Sequence, residues 1–582
     1  MRSTRSFRRL ALALQRTGVA LGMALCLSAC AELPKDVERP VSTALAQPAG
    51  TSLAQLVQQR REAAATRFDS GFLLIDGPQA AYGSRLALVQ GAQKTLDLQY
   101  YTIHADASTA YLLRGVREAA RRGVRVRILL DDFHSTGRDA VVMYLAFEPN
   151  VEMRMFNPLA GTRTSKLSRF VNSIDDAGRI QQRMHNKLFI ADNVLGVTGG
   201  RNLGDAYFGH ATNANFVDLD VLVAGPAVQD LSRSFDAYWN NERAYPVQSL
   251  VTREELEKIR ADARASADKE REQQAAPPGP PADEGGAPKA DADRVPRWDR
   301  QPMDLRTVSF VWAPAAVMVD KPAKIAADAS SAPTADRKKA PGALVVTSGK
   351  AKGAGAGSKL DVAAGAAANG DTVVEGLLQL IGLARKDLLI ISPYFVPGPD
   401  MKRAFAEARA RGVRVRVLTN SLASNDAPVA HVGYARHRDE LLAMGVELYE
   451  LRSEQADLNS TFGSSGRSGA SGESRSMLHS KVLVMDGQWV VVGSMNLDLR
   501  SQLQNTEIAV LVRSAELARI AADKIDGVLR EGAWRVERSD GRLVWRAPEG
   551  SGLQDTTTEP DTSAGLRLML RLVGPLAPDK LL

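Results

Sequence analysis

Apolar residues recur along this chain in short β-type runs that come in matched pairs. Met184 to Ile190 and Leu478 to Met485 are apolar and rich in β formers, and both read as strands. Each is followed by a turn pair, Asp192-Asn193 or Asp486-Gly487, and then by a second apolar run, Val194 to Thr198 or Trp489 to Val492. Each copy therefore predicts a hairpin. A third run follows in both, with Val217 to Val223 aligning on Thr506 to Val512. Upstream, Ala110 to Arg122 has helical spacing, stops at Gly123 and leads into a strand from Val124 to Leu130. Ala404 to Arg411, Gly412 and Val413 to Leu418 repeat that order, and both copies share Arg-Gly-Val-Arg-Val-Arg. Helices alternating with strands predict an α/β fold: two pseudo-repeated α/β sandwich domains with mainly parallel sheets, sharing one active site. The shared hexamer reads as a solvated, charged strand edge in the scaffold.

The boundaries follow from composition. Residues 1–29 read as a signal peptide, 30–67 as a tether and 68–250 as the first domain. Residues 251–299 read as a disordered linker, most strongly over 262–295 with its Pro- and charge-rich composition. The second domain takes 300–582 and starts with a strand in the apolar run Val308 to Val319. Within it, residues 325–369 are rich in Ala, Gly, Ser and Lys and predict a disordered insert. A Gly/Ser-rich stretch at 459–475, just before the second motif, reads as a loop.

The paired hairpins carry the chemistry. His185-x-Lys187-x4-Asp192-x6-Gly199-Gly200-x-Asn202 recurs as His479-x-Lys481-x4-Asp486-x6-Gly493-Ser494-x-Asn496. Alternation along a strand puts each histidine and its lysine on one face. Gly199, Gly200 and Gly493 let backbone approach a ligand, and Asn202 and Asn496 offer amide donors. Asp218 and Glu507 align in the third run. A carboxylate that accepts from one imidazole nitrogen fixes the tautomer and frees the other nitrogen to attack. Asp192 and Asp486 are expected to hold turns rather than touch substrate. Gly200 lacks the hydroxyl that Ser494 provides, so the site is asymmetric. His, Asp and Glu also ligate metals, but a lysine beside each histidine opposes a cation. The set reads as an anion pocket with no metal and no cofactor.

These motifs resemble the paired signature of the phospholipase D superfamily. Leu96 to Tyr101, Arg122 to Asp132 and Ser392 to Pro397 resemble its bacterial cardiolipin synthase branch. Met184-His185-Asn186-Lys187, Gly199 to Phe208 and Trp312-Ala313-Pro314 are most similar to the C type of that branch. The resemblance implies a two-step phosphoryl transfer through a phosphohistidine. His185 would be the nucleophile and His479 the acid/base, with Lys187, Lys481, Asn202 and Asn496 holding the phosphoryl oxygens. It implies transfer of a phosphatidyl group to the hydroxyl of phosphatidylglycerol, which makes cardiolipin. Transfer to water would make phosphatidic acid. A nuclease-like phosphodiesterase and a non-catalytic membrane scaffold are the other readings.

Charge bears on the nuclease reading. The chain carries a net +7, but residues 1–29 hold five arginines and no acid. Without them 69 basic residues face 67 acidic ones, a balance that gives nucleic acid little to bind. The arginine-rich start precedes an apolar run from Thr17 to Ala29 that is too short to span a bilayer. It ends Leu27-Ser28-Ala29-Cys30, which resembles a lipobox, so Cys30 is expected to carry lipid and the enzyme to face the periplasm at a membrane. Ala31 favours the outer membrane. Phospholipids and the membrane surface are the expected partners. Cys26 would be cleaved away, leaving no disulfide and no catalytic thiol.

Overall fold

The structure is a computed structural model that describes residues 33–161, 163, 177–274, 300–325, 344–348, 358–453, 475–574 and 578–579. The signal segment, Cys30 and most of the 459–475 stretch lie outside the described residues.

The chain builds one plan twice. In the first half α1 (Ser52–Ala63) precedes β1 (Gly71–Ile75), α2 (Pro78–Gly91), β2 (Thr95–Tyr100), α3 (Ala107–Arg121), β3 (Arg125–Asp131) and β4 (Val151–Phe156). The hairpin β5 (Leu188–Ala191) and β6 (Leu195–Gly199) follows, then β7 (Ala214–Val217), β8 (Asp220–Ala224), α4 (Pro226–Trp239), β9 (Ala244–Pro246) and α5 (Arg253–Gln274). After β10 (Val311–Trp312), the second half runs β11 (Ala315–Asp320), β12 (Leu344–Ser348), α6 (Lys359–Ala367), α7 (Val373–Leu383), β13 (Asp387–Ile391) and β14 (Phe395–Val396). It continues through α8 (Pro399–Ala410), β15 (Arg414–Asn420), α9 (Pro428–Ala435), β16 (Glu447–Leu451), β17 (Arg475–Leu478), β18 (Val482–Met485) and β19 (Trp489–Gly493). Then come β20 (Leu497–Asp498), α10 (Leu499–Leu503), β21 (Ile508–Arg513), α11 (Ala515–Glu531), β22 (Ala533–Ser539), β23 (Arg542–Arg546) and α12 (Ala564–Val573).

The sheet orders coincide apart from one extra edge strand in the second half. The first is β10-β1-β8-β6-β5-β2-β3-β4-β9 and the second β12-β11-β21-β19-β18-β13-β15-β16-β22-β23. β2, β3 and β4 are parallel, as are β13, β15 and β16. The helical crossover α3 enforces this between β2 and β3, as α8 does between β13 and β15. Within each hairpin the strands are antiparallel because a three-residue turn, 192–194 or 486–488, joins them. The sheets are thus mixed, with the expected parallel run at one side.

Each sheet is covered on one face by its own helices and on the other by the partner half. Phe72, Leu129, Leu188 and Val221 from the first sheet share one core with Leu389, Leu418, Val484 and Val510 from the second, and α4 and α11 contribute to it. At about 1.5–3 kcal/mol for each large side chain buried, the halves hold together as one unit.

Five expectations change. The hexamer is only partly solvated and is not an edge: Arg122, Arg411 and Arg414 are exposed, but β3 and β15 are interior strands. Arg127 is fully buried in the interior strand β3, where Asp97 accepts from it at 2.7 and 2.9 Å. That buried cation also accounts for the tether: Arg127 donates to the Ser42 carbonyl at 2.9 Å, and Ala44 N–H donates to Asp236 at 2.8 Å. The chain is therefore docked by residue 42, and α1 buries Leu53 and Val57. The run Val308 to Val319 divides, because Pro314 cannot donate to a ladder: β10 adds to the first sheet and β11 to the second. The expected linker 251–299 begins with α5, whose Leu256 and Ile259 are buried. The expected insert 325–369 contains β12, paired along β11, and α6 with a Ser358/Asp361 capping box. Among the described residues no helix is long and apolar enough to cross a membrane.

Candidate active site

The two motifs meet where the halves face each other. His185 and Lys187 are not in a strand, contrary to expectation. The ladder starts at Leu188, and the backbone before it turns to the other half: His185 N–H donates to the Thr506 carbonyl at 3.0 Å, and Thr506 N–H to the Arg183 carbonyl at 3.0 Å. The second copy does the same. β17 pairs with β7, and His479 N–H donates to the Val217 carbonyl at 2.8 Å. Each histidine is therefore stitched to the segment that carries the other half's carboxylate.

The side chains cross in the same way. His185 Nδ1 lies 3.0 Å from Glu507, and His479 Nδ1 lies 2.7 Å from Asp218. Asp218 and Glu507, aligned in sequence, each serve the opposite motif. Such a carboxylate selects the tautomer with the proton on Nδ1. Nε2 of each ring then has a free lone pair and no partner among the described residues. Both histidines are nearly closed off, at 8% and 5% exposure. Burial pushes His185 down to about 4, with Lys187 and Lys481 adding repulsion against the pull of Glu507. His479 also lies well below the usual imidazole value, through burial and the same two ammonium groups. Both rings are therefore neutral at neutral pH, each with an Nε2 lone pair available.

Lys187 and Lys481 each donate to the carbonyl of their own histidine, at 2.6 and 2.5 Å. An ammonium has three donors, so each keeps two with no partner among the described residues. Burial lowers Lys187 to about 7 and Lys481 to about 8, and the two lysines repel each other. Two buried, mutually repelling cations make a site that gains by taking an anion.

Asn202 accepts from Thr102 N–H at 3.3 Å and donates to the Tyr207 hydroxyl at 3.0 Å, so part of its amide is already used within the first half. Asn496 keeps a buried carbonyl oxygen without a partner among the described residues. Asp192 accepts from the backbone N–H groups of Gln93, Lys94 and Thr95. Asp486 does the same for Arg385, Lys386 and Asp387. Both aspartates thus fasten the start of the neighbouring strand to the hairpin turn, away from the histidines.

The glycine asymmetry has a steric cause. A Cβ on Gly200 would overlap the Asp218 carboxylate, while a Cβ on Gly493 would strike the Ile508 carbonyl and Ala509. Ser494, at the position of Gly200, bonds instead through its hydroxyl to Glu507. Gly199 holds a positive φ of 152°.

Several residues were not singled out from the sequence, although Tyr101, Tyr207 and Tyr394 lie in the stretches that resemble the family. Tyr101 stands edge-on to His185 at 5.2 Å between centroids, and Tyr207 edge-on to His479 at 5.4 Å. These rings wall the imidazoles but have no counterpart in the repeated motif. Ser501 donates to Glu507 at 2.9 Å. Tyr394 donates to Asp426 at 2.7 Å, and Asp426 acts electrostatically on Lys481. Among the described residues no group of three or more His, Cys, Asp or Glu is placed to hold a metal ion.

Comparison with known proteins gives the same pairing of halves. The family described as cardiolipin synthase, PLD-like domain, matches residues 86–239 and again 377–529. The chain belongs to that family. Over 86% of its length it is 33% identical to cardiolipin synthase C of Escherichia coli (strain K12), covering 94% of that protein. It is 30% identical to an uncharacterized protein of Helicobacter pylori (strain J99 / ATCC 700824), over 86% of this chain and 88% of the relative. The fold is shared with the crystal structure of phosphatidylserine synthase from Haemophilus influenzae, with a TM-score of 0.51 at 12% identity, over 90% of this chain and 98% of the other. The two copies of the PLD-like domain fall one on each sheet, and each contributes one histidine, one lysine and the carboxylate for its partner.

Proposed function

We propose that this protein is a membrane-associated phosphatidyl transferase. It makes cardiolipin from phosphatidylglycerol and a second phospholipid through a phosphohistidine intermediate. The observation that carries the chemistry is the pair of crossed His–carboxylate dyads beside two lysines with open donors. Nε2 of His185 attacks the donor phosphorus, the P–O bond to the leaving alcohol breaks, and His479 protonates that oxygen. His479 then takes the proton of the incoming hydroxyl, whose oxygen attacks phosphorus as the P–N bond breaks. The bound phosphodiester anion favours the His479 imidazolium that the empty site disfavours. Lys187, Lys481 and the amide N–H of Asn496 donate to the non-bridging oxygens and stabilise their charge. No metal takes part in any step, so activity should survive excess chelator.

Lipid substrates are supported by the likeness to cardiolipin synthase C over nearly the whole length of both chains. Near-closure of the histidines favours a lipid alcohol over water as acceptor. The lipid attached at Cys30 would hold the enzyme on the periplasmic side of a membrane, the outer one by the residue after the cysteine. Purified protein incubated with phosphatidylglycerol, with and without phosphatidylethanolamine, should give cardiolipin as the main product. His185→Ala and His479→Ala should each abolish turnover while the fold persists. Phosphatidic acid as the main product under every donor and acceptor mixture would instead make the protein a phospholipase D.

A further inference from the structure

The last helix of the described chain, α12, has three faces. Leu566 and Leu570 turn inward, and Leu570 is 6% exposed. Arg567 and Arg571 form an edge one hundred degrees around, by the helical repeat. Leu568, Met569 and Leu572 form the third face and are 60%, 50% and 69% exposed. No acidic residue lies on this helix. Three large apolar side chains in one outward stripe are unusual for a surface helix, which normally turns charge to water. The basic edge continues beyond the helix. A groove of about 860 Å³ beside it is lined by Arg542, Arg571, Trp545, Leu543 and Leu570. Arg542 and Arg571 are exposed and have no side-chain partner among the described residues.

The position of α12 ties this surface to the site. Val432 of α9 meets Gly574 at the end of α12, and Arg436 donates to the Gly574 carbonyl. α9 in turn leads out of the loop carrying Asp426, which bonds Tyr394 and acts on Lys481. Other exposed apolar side chains lie on segments adjoining the same site. Val429 on α9 is 39% exposed, and Leu503 at the end of α10, shortly after Asn496, is 40% exposed. Phe133 is 36% exposed and touches His134, which stands against Tyr101 beside His185.

We propose that α12 is an interfacial helix: it docks on the headgroup region of an anionic phospholipid bilayer, with Leu568, Met569 and Leu572 in the acyl boundary. Arg571 and Arg542 meet the lipid phosphates. The choice of a bilayer over a protein partner rests on the lipid substrates proposed above and on charge: apolar side chains beside unpaired arginines suit an anionic interface. The docked helix would present the site to lipid independently of any acyl chain at Cys30.

The test reads insertion locally, so an anchor elsewhere cannot imitate it. In full-length protein with Cys26→Ser and Cys30→Ser, a single cysteine replaces Leu568, Leu572 or, as a control, the exposed Val362 on α6. Each carries an environment-sensitive fluorophore and is mixed with phosphatidylcholine vesicles, with or without phosphatidylglycerol, containing a lipid-borne quencher. Labels at 568 and 572 should shift to the blue and be quenched with anionic vesicles, while the label at 362 is not. Arg571→Glu should weaken vesicle partitioning about five-fold or more, in line with the contribution of one basic residue near an anionic surface. Quenching at 568 and 572 no greater than at 362 would overturn the proposal, as would equal quenching in neutral vesicles. The readout needs no turnover. A helix that inserts in a protein making no cardiolipin would refute the transferase reading and leave the docking intact.

Discussion

The two dyads are built alike but held differently. Glu507 accepts from the Ser494 and Ser501 hydroxyls as well as lying against His185, and its backbone N–H donates to Asp320 at 3.0 Å. Burial alone would raise its carboxyl, but His185, Lys187 and the Ser494 hydroxyl outweigh that and hold it below the ordinary value. Asp218 has fewer partners, chiefly the Leu219 N–H at 2.8 Å. Burial pushes it up to about 6 against the pull of Lys481 and Arg201. A phosphorylated imidazole keeps positive charge through its whole lifetime, so its carboxylate must stay ionised. An acid/base imidazole gains and loses a proton each cycle, and a carboxyl near neutrality tolerates both states. The pseudo-symmetric fold supplies two histidines, and the unequal carboxylates support the proposed division of tasks, with His185 as nucleophile and His479 as acid/base.

The largest test of this difference removes one charge at a time. Glu507→Gln leaves the shape but disturbs the tautomer and the charge of His185. It should lower kcat by about 10⁴-fold, the scale seen when a histidine loses its carboxylate. Asp218→Asn should cost less, about 10²- to 10³-fold, within the range for general acid–base help. The two separate on a phosphodiester with a nitrophenol leaving group, which departs without a proton. Asp218→Asn should keep a burst of nitrophenol and accumulate phosphohistidine, and Glu507→Gln should lose both. A burst in Glu507→Gln and none in Asp218→Asn would reverse the assignment.

A second test exchanges the residues that distinguish the motifs. Gly200→Ser forces a side chain into the Asp218 carboxylate. Displacing that carboxylate should reduce kcat by about 10²-fold, as small misplacements of catalytic groups do. Ser494→Gly removes one hydrogen bond to an ionised carboxylate, and about a ten-fold loss is expected. Kinetics with a thermal melt on each variant check both; equal losses would mean that the glycine has no steric role.

Much of this site could be read before folding. Two motifs at matched spacing identify both histidines and both lysines, and alignment of the third runs finds Asp218 and Glu507. The crossing could not be read, because alignment relates each carboxylate to its own half. Only the pairing of Val217 with His479 and of Thr506 with His185 sends it across. The strand expectation for Met184 to Lys187 failed for the same reason: an apolar run shows β character but not which sheet its backbone joins. Tyr101 and Tyr207 stand in the family-like stretches but were not singled out, because neither belongs to the repeat. Arg127 misled because charge was taken for exposure, whereas Asp97 and the Ser42 carbonyl satisfy it inside the sheet. The same buried guanidinium explains why residues read as a loose tether are docked.

The last effect concerns the lysines, which both dyads share. Lys187 lies at about 7 and Lys481 at about 8 in the empty site, against an ordinary value of 10.5. A lysine is cationic below its pKa, so raising the pH from 7 to 9 removes the charge that captures the phosphodiester. kcat/KM follows the free enzyme. It should fall by about ten-fold for each pH unit above the pKa of a required lysine. Once substrate is bound, its anionic phosphate restores the ammonium form, so kcat should hold to a more alkaline pH than kcat/KM. The phosphodiester is ionised throughout this range and contributes no limb of its own. Profiles of both parameters between pH 6 and 10, on a substrate that is soluble as monomers, separate this effect from any change in membrane binding. A kcat/KM that stays flat to pH 10 would show that the lysines keep their ordinary affinity for protons, and the anion pocket would then not depend on their burial.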